Sequence, residues 1–193
     1  MDKIIKKSQL KEHLMLIMDS NFSEEFSMMA DALLNRFVIR KGSRKYRILE
    51  LEFYHSGTQS SEITYKRQTA AGEWFFHPSG VDLSFQSDGE CYGGILIRAV
   101  REIAPESEAI CGPFNVVDAL FDKFDAMDLP LDFPVIEEGA SLPEMKLDPP
   151  VSRWHPGKDW GDDNAKEYRF FLPEEAWNVK KPSKYPAYPF RNK

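Results

Sequence analysis

Residues 46–54 read Tyr-Arg-Ile-Leu-Glu-Leu-Glu-Phe-Tyr, and their alternation predicts one β-strand. Side chains on a strand point to opposite faces with a period of two. Leu49, Leu51 and Phe53 then share one face, while Ile48, Glu50, Glu52 and Tyr54 share the other. Two carboxylates on an otherwise apolar strand require a cause, because an unpaired buried charge is costly. One cause is an edge position, with both acids in water or paired with Lys and Arg, as is usual for a glutamate. The other is a carboxylate held in a lined cleft as a general base. The strand by itself does not choose between them.

Working outward, Phe37–Arg40 is a second short strand, joined to the first through the turn Lys41-Gly42-Ser43 as a hairpin. Upstream, residues 8–36 hold two helices. Ser8–Met18 carries Leu10, Leu14 and Ile17 on one face, with Ser8 as its cap. The second follows Asn21 and Ser23 and carries Phe22, Phe26, Met29 and Leu33 at helical spacing, with Glu24 and Glu25 in its first turn. That stripe reads as core packing. Downstream, His55–Gly72 is a long polar loop. Glu73–Phe76 and Val81–Gln86 are strands on either side of Pro78-Ser79-Gly80. Tyr92–Val100 is the most apolar strand and contains one cation, Arg98. A lone arginine in such a run meets a carboxylate, and Glu50 and Glu52 are the obvious partners.

Gly112-Pro113 opens a helix whose buried stripe is expected to be Val117, Leu120, Phe121 and Phe124. Residues 130–150 read as extended loop with short strand pieces, and Tyr168–Leu172 as the last strand. The tail, residues 180–193, is basic and rich in proline and aromatics, and is expected to lie extended on the surface. The order of pieces implies one α+β domain over residues 1–193. Its sheet is curved, antiparallel or mixed and partly barrel-like, with helices on its flanks.

With 193 residues, 42% of them hydrophobic, the chain can build one real core. Its net charge of −6 argues against a generally nucleic-acid-binding surface. The charges are segregated, however. Six cations and no acids fall between Arg36 and Arg47, and five cations and no acids between Trp177 and Lys193. A local basic face therefore stays open. Two cysteines, Cys91 and Cys111, make no disulfide framework and suit a reducing cytoplasm. No stretch is long and apolar enough for a membrane span. No Cys/His spacing suggests a metal, and nothing calls for a cofactor or an obligate protein partner.

Six pieces in this order resemble a known family. ADALLNR followed by a hairpin ending in ELEFY, then GEWFFHPSG, GGILIRAV, CGPFNVVDAL, SRWHPG and YRFF, are similar to the motifs of the alkyladenine (3-methyladenine) DNA glycosylases. The likeness runs from about Ala30 to about Val179. It implies that Glu52 stands at the family's catalytic glutamate and Arg98 at the arginine that holds the attacking water. It implies that Tyr54 and Phe76 stack on an extruded base. His77 and Ser79 fall in the same motif as Phe76, and Gln86 falls near a pocket amide. Residues around Pro156 would supply a backbone carbonyl beside the water. Ser79 stands where the family has a wedge tyrosine. The loop offers Ser60, Ser61, Thr64 and Tyr65 where the family has a pocket histidine.

The resemblance implies a monofunctional, purine-directed DNA N-glycosylase of base-excision repair, acting on damaged duplex DNA without metal or cofactor. A carboxylate beside the anomeric carbon would stabilise the charge that builds as the base leaves, and would take a proton from water. The base must first leave the duplex. The alternative keeps the fold for a non-catalytic or repurposed binder of a nucleobase or nucleoside. A third reading makes both glutamates structural, on the surface, with Arg98 paired elsewhere. Three expectations follow. Glu52 and Arg98 lie within a hydrogen bond. Arg40, Lys41, Arg44, Lys45, Lys180, Lys181 and Lys184 share a face with Glu52. Replacing Glu52 by Gln leaves stability little changed.

Overall fold

In a computed structural model of the chain, the strand over 46–54 runs longer at both ends, from Arg44 to His55 (β2). The structure describes residues 5–16, 21–57, 63–121, 127, 132–139, 142–154, 159, 161–180, 184–185 and 188–190. Among these, β2 is the hub of an eight-stranded antiparallel sheet that curls into a half-barrel. The strand path is β3 (Trp74–His77), β4 (Gly80–Ser84), β5 (Gly93–Glu102), β2, β1 (Phe37–Lys41) and β7 (Val135–Glu138). Two further short strands leave this path. β6 (Ala109–Cys111) pairs with β5, and β8 (Arg169–Phe171) pairs with β2. The expected α+β domain with a curved sheet is therefore observed.

β2 keeps one edge for β5 along its whole length. Its other edge is divided. Residues 44–47 pair with β1, and residues 50–52 pair with β8. A register irregularity falls at Ile48–Leu51 against β5, and such a bulge bends a strand and strengthens its twist. The apolar face that begins Leu49, Leu51, Phe53 packs inward. Phe53 meets Phe26 of α2 (Phe22–Asn35) with ring centroids 4.6 Å apart, and Phe170 of β8 at 5.4 Å. The α2 stripe is largely as expected, with Phe26, Met29 and Leu33 fully buried and Phe22 at the margin. At roughly 1.5–3 kcal/mol for each such side chain, this layer is a main source of stability.

The helices need small corrections. α1 spans Lys7–Leu16, so Ser8 lies inside it and does not cap it. Leu10 and Leu14 are buried as expected, and Ile17 lies outside the described residues. α3 (Pro113–Leu120) begins at its proline, but its most buried positions are Val116 and Leu120, with Val117 partly covered; Phe124 lies outside the described residues. The tail also differs. Tyr188 and Phe190 are buried, with Phe190 5.6 Å from Phe171 and Tyr188 5.3 Å from Trp177, ring to ring. Aromatic rings this large gain more from burial than the chain loses by ordering.

Gly93 lets β5 come close to β2. A Cβ there would collide with the carbonyl oxygen of Tyr54. Gly93→Ala is expected to lower the urea midpoint, at a cost of about 1–3 kcal/mol or more. His55, at the end of β2, is fully buried, with its ring 4.9 Å from Phe22 and 5.9 Å from Phe85. Burial pushes its imidazole from 6.5 down to about 4, against a partial lift from Asp88. The unfolded chain then binds a proton that the folded chain refuses, so stability is lost as pH falls from about 6.5 towards 4. Unfolding followed across that window should show the loss, and His55→Phe should flatten it.

Candidate functional site

The polar face of β2 is covered, and its acids meet two arginines. The β2–β5 register pairs Glu50 with Ala99 and Leu51 with Ile97, which leaves Arg98 at the irregularity between them, within reach of both Glu50 and Glu52. The Arg98 guanidinium forks accordingly. Its Nε donates to Glu50 Oε1 at 2.9 Å and its Nη1 to Glu52 Oε2 at 2.9 Å. From the other edge, Arg169 of β8 stands opposite Glu52. Its Nε donates to Glu50 Oε1 at 2.5 Å and lies 3.9 Å from Glu52 Oε1. Two carboxylates and two guanidinium groups thus form a neutral quartet, with every side chain at most 8% exposed. Burial works against the charge of Arg98, but Glu52 and Glu50 outweigh it and raise its pKa.

The expected Glu52–Arg98 hydrogen bond is therefore present. The reading that put both glutamates on the surface fails, since Glu52 is 0% and Glu50 3% exposed. Glu52 also accepts from the Tyr54 hydroxyl at 2.9 Å and from the backbone N–H of Trp154 at 2.7 Å. Burial and the adjacent Glu52 charge raise the Tyr54 phenol well above its ordinary value. It stays a neutral donor. Arg153 lies 4.9 Å from the Tyr54 ring and donates to the carbonyl of Phe53 at 3.2 Å, which fixes the 152–154 segment against β2.

A cavity of about 220 Å³ opens on the Glu50–Arg98 side. Its walls include Cys111, Asn115, Trp154, Tyr185 and Tyr188. Burial, and then the charge of Glu50, push the Cys111 thiol up to about 12, so this cysteine is no nucleophile at neutral pH.

The other site residues expected from the sequence divide. His77 and Ser79 do not reach Glu52 in the hydrogen bonding seen. His77 Nε2 is 2.9 Å from Asp82 Oδ1, and its Nδ1 accepts from the Ser79 backbone at 3.2 Å. Ser79 Oγ lies 3.0 Å from the Tyr65 hydroxyl. Asp82 is also held by Arg67 at 2.7 Å, in a second buried polar cluster. The sheet row that contains Glu52 runs Glu52–Leu96–Asp82–Phe75. Phe75, and not Phe76, is therefore on the Glu52 side. Phe76 is 47% exposed and packs edge-on against Phe121 at 4.7 Å. The Gln86 amide is taken by the backbone of Ala71 and Ser87. Ser60, Ser61 and Pro156 lie outside the described residues.

In the basic hairpin Arg44 is exposed, 5.8 Å from the Tyr46 ring, while the other cations have partners. Arg40 and Lys45 both bond Glu137 at 2.8 Å, Lys41 is buried against the carbonyl of Ala119, and Arg47 is buried on the carbonyls of Leu34 and Pro143. Lys180 pairs with Glu108 at 2.8 Å. Lys184 borders the cavity, and Lys181 lies outside the described residues. Among the described residues no helix is long and apolar enough to cross a membrane, and no group of three His, Cys, Asp or Glu side chains could hold a metal.

Arg169 and Trp154 were not foreseen as site residues. Arg169 carried the same signal as Arg98, a lone cation in an apolar strand. The Trp154 contact uses a backbone N–H and leaves no trace in residue type.

Arg98→Leu would strand two buried carboxylates on one remaining arginine. Urea unfolding should show a loss of about 3–5 kcal/mol. Glu52→Gln should also destabilise, contrary to the expectation from sequence, because its new amide N–H₂ must face groups that donate. A scan against protein-family models finds no match for this chain, and a search of curated proteins finds none.

Proposed function

We propose that the chain is a monofunctional N-glycosylase acting on damaged purines in DNA, with Glu52 as the carboxylate that activates water. The observation that carries this reading is the hold on Glu52. It is a buried carboxylate fixed by a forked arginine at 2.9 Å and a tyrosine hydroxyl at 2.9 Å, beside a cavity that the same arginine borders. Donors and charges held rigidly in a dry site act without reorganising as charge develops. Cleaving an N-glycosidic bond needs that and little else. Positive charge grows on the sugar, a carboxylate stabilises it and deprotonates the attacking water, and the base leaves with its bonding electrons. In this state Glu52 is covered, and its Oε1 is taken by the Trp154 N–H at 2.7 Å. Turnover therefore requires the Trp154 N–H to give up Oε1 to water while its ring stays at the cavity wall. The reading places the protein in the cytoplasm.

The pairing of Arg40 and Lys45 with Glu137 favours a second reading. A protein that tracks a phosphate backbone needs unspent cations, since phosphate neutralisation supplies most non-specific affinity. With those cations spent, the fold serves as a non-catalytic pocket for a nucleobase or nucleoside.

Excision separates the two. Wild-type protein is incubated with duplexes carrying alkylated, deaminated or etheno purines, and abasic sites are counted. Glu52→Gln should lower the rate by about 10²–10⁴-fold, while Glu12→Gln, on the exposed side of α1, should leave it unchanged. Full turnover in Glu52→Gln contradicts the proposal. No excision of any lesion by folded wild-type protein moves the assignment to the second reading.

A further inference from the structure

The Glu50–Arg98 floor of the cavity is built and partly unspent. Glu50 uses one oxygen, Oε1, for both Arg98 and Arg169. Arg98 uses Nε and Nη1 for Glu50 and Glu52. Among the described residues, Glu50 Oε2 and Arg98 Nη2 have no partner, yet neither is among the buried atoms sealed off without one. Both residues border the 220 Å³ cavity. The cavity is thus bordered by a carboxylate and a guanidinium that each keep one unused polar atom, on side chains about 95% buried.

The walls add shape. Trp154, 36% exposed, lies over Arg98 with its ring 5.7 Å from the guanidinium carbon. Tyr185 and Tyr188 close the other side, and Gly112-Pro113 the end. The space is below the roughly 300–1,000 Å³ of pockets for drug-sized ligands, so it suits one planar ring system. Charge selects further. The quartet beneath is neutral, so an anion would meet Glu50 and a cation would meet Arg98. The ligand that satisfies both is uncharged and offers an N–H donor next to an acceptor. That is the edge of a nucleobase, which protein side chains read through such paired contacts.

We propose that this cavity is a pocket for a single nucleobase, read on one edge by Glu50 and Arg98 and stacked by Trp154 and Tyr185. It replaces Phe76, which faces away, as the stacking wall. The identity of the ligand as a substrate base rests on the glycosylase reading, whereas the capacity to bind a free base does not. Lys184, Tyr185 and Tyr188 of the C-terminal tail line the pocket, so the tail is part of the site and not surface decoration.

Calorimetric titration of the full chain with free adenine and free hypoxanthine tests this without turnover. At least one base should bind saturably. Methylating the edge ring nitrogen should weaken it at least about tenfold, and indole, which lacks the ring acceptor, should bind no better than the methylated base. Tyr185→Ala, at a partly exposed wall and with its fold confirmed by circular dichroism, should weaken binding by about tenfold. No saturable binding of either base to folded wild-type protein overturns the proposal. So does binding that ignores both the methyl group and the Tyr185 substitution. Base binding without DNA excision keeps the pocket and removes the glycosylase reading. Excision without free-base binding overturns the pocket.

Discussion

Two glutamates buried against two arginines set the terms for the rest of this molecule. β5 lies along one edge of β2 and delivers Arg98; β8 lies along the other and delivers Arg169. Remove either arginine and a buried carboxylate is left uncompensated, at a cost of about 3–5 kcal/mol. A whole domain is stable by only about 5–15 kcal/mol, so the four residues stand or fall together. The quartet does not, however, account for its own presence. Apolar residues of similar volume in place of a buried ion cluster are commonly neutral or stabilising. The fold can be held by the other face of β2, where Phe53, Phe26 and Phe170 pack. What the ion cluster adds is a fixed, dry arrangement of a carboxylate and its donors, which is of use to chemistry or recognition.

The two faces of one strand thus divide the work. The apolar face binds α2 and the sheet into a core. The polar face supports Tyr54, the 152–154 segment and the aromatic tail, and these cover the acids. The second polar cluster, Arg67–Asp82–His77, lies in the same sheet row system but holds the β3–β4 turn and the loop that ends at Tyr65. Its bonds are satisfied locally, and it positions structure around the site without touching Glu52.

What was legible in the sequence is what local pattern determines. Alternation in residues 46–54 sorted the two faces, and Arg98 announced itself as a lone cation in an apolar strand. The contacts that escaped are those set by distant register. Arg169 reaches Glu50 across 119 positions, and Arg40 reaches Glu137 across 97. The hairpin cations Arg40 and Lys45 therefore share an acidic partner, Glu137, that the sequence places far away. Phe76 shows how one position changes everything on a strand. The motif resemblance pointed to it, but the pairing of Phe75 with Asp82 puts Phe75 and His77 on the Glu52 side and Phe76 on the other. Tyr188 and Phe190 went inward because Trp177 and Phe171 present ring edges to them, a partnership that residue type alone does not announce.

If the quartet serves the proposed chemistry and not stability, the fold survives without it. Replacing all four residues at once, Glu50→Met, Glu52→Leu, Arg98→Met and Arg169→Leu, removes every buried charge without stranding any. The direct measurement is urea unfolding of this variant beside wild type, with excision and base binding measured on the same samples. The expected result is a folded protein whose stability is unchanged or higher and which neither excises nor binds a base. A variant that unfolds, or that loses stability as heavily as a single arginine deletion, would make the quartet structural.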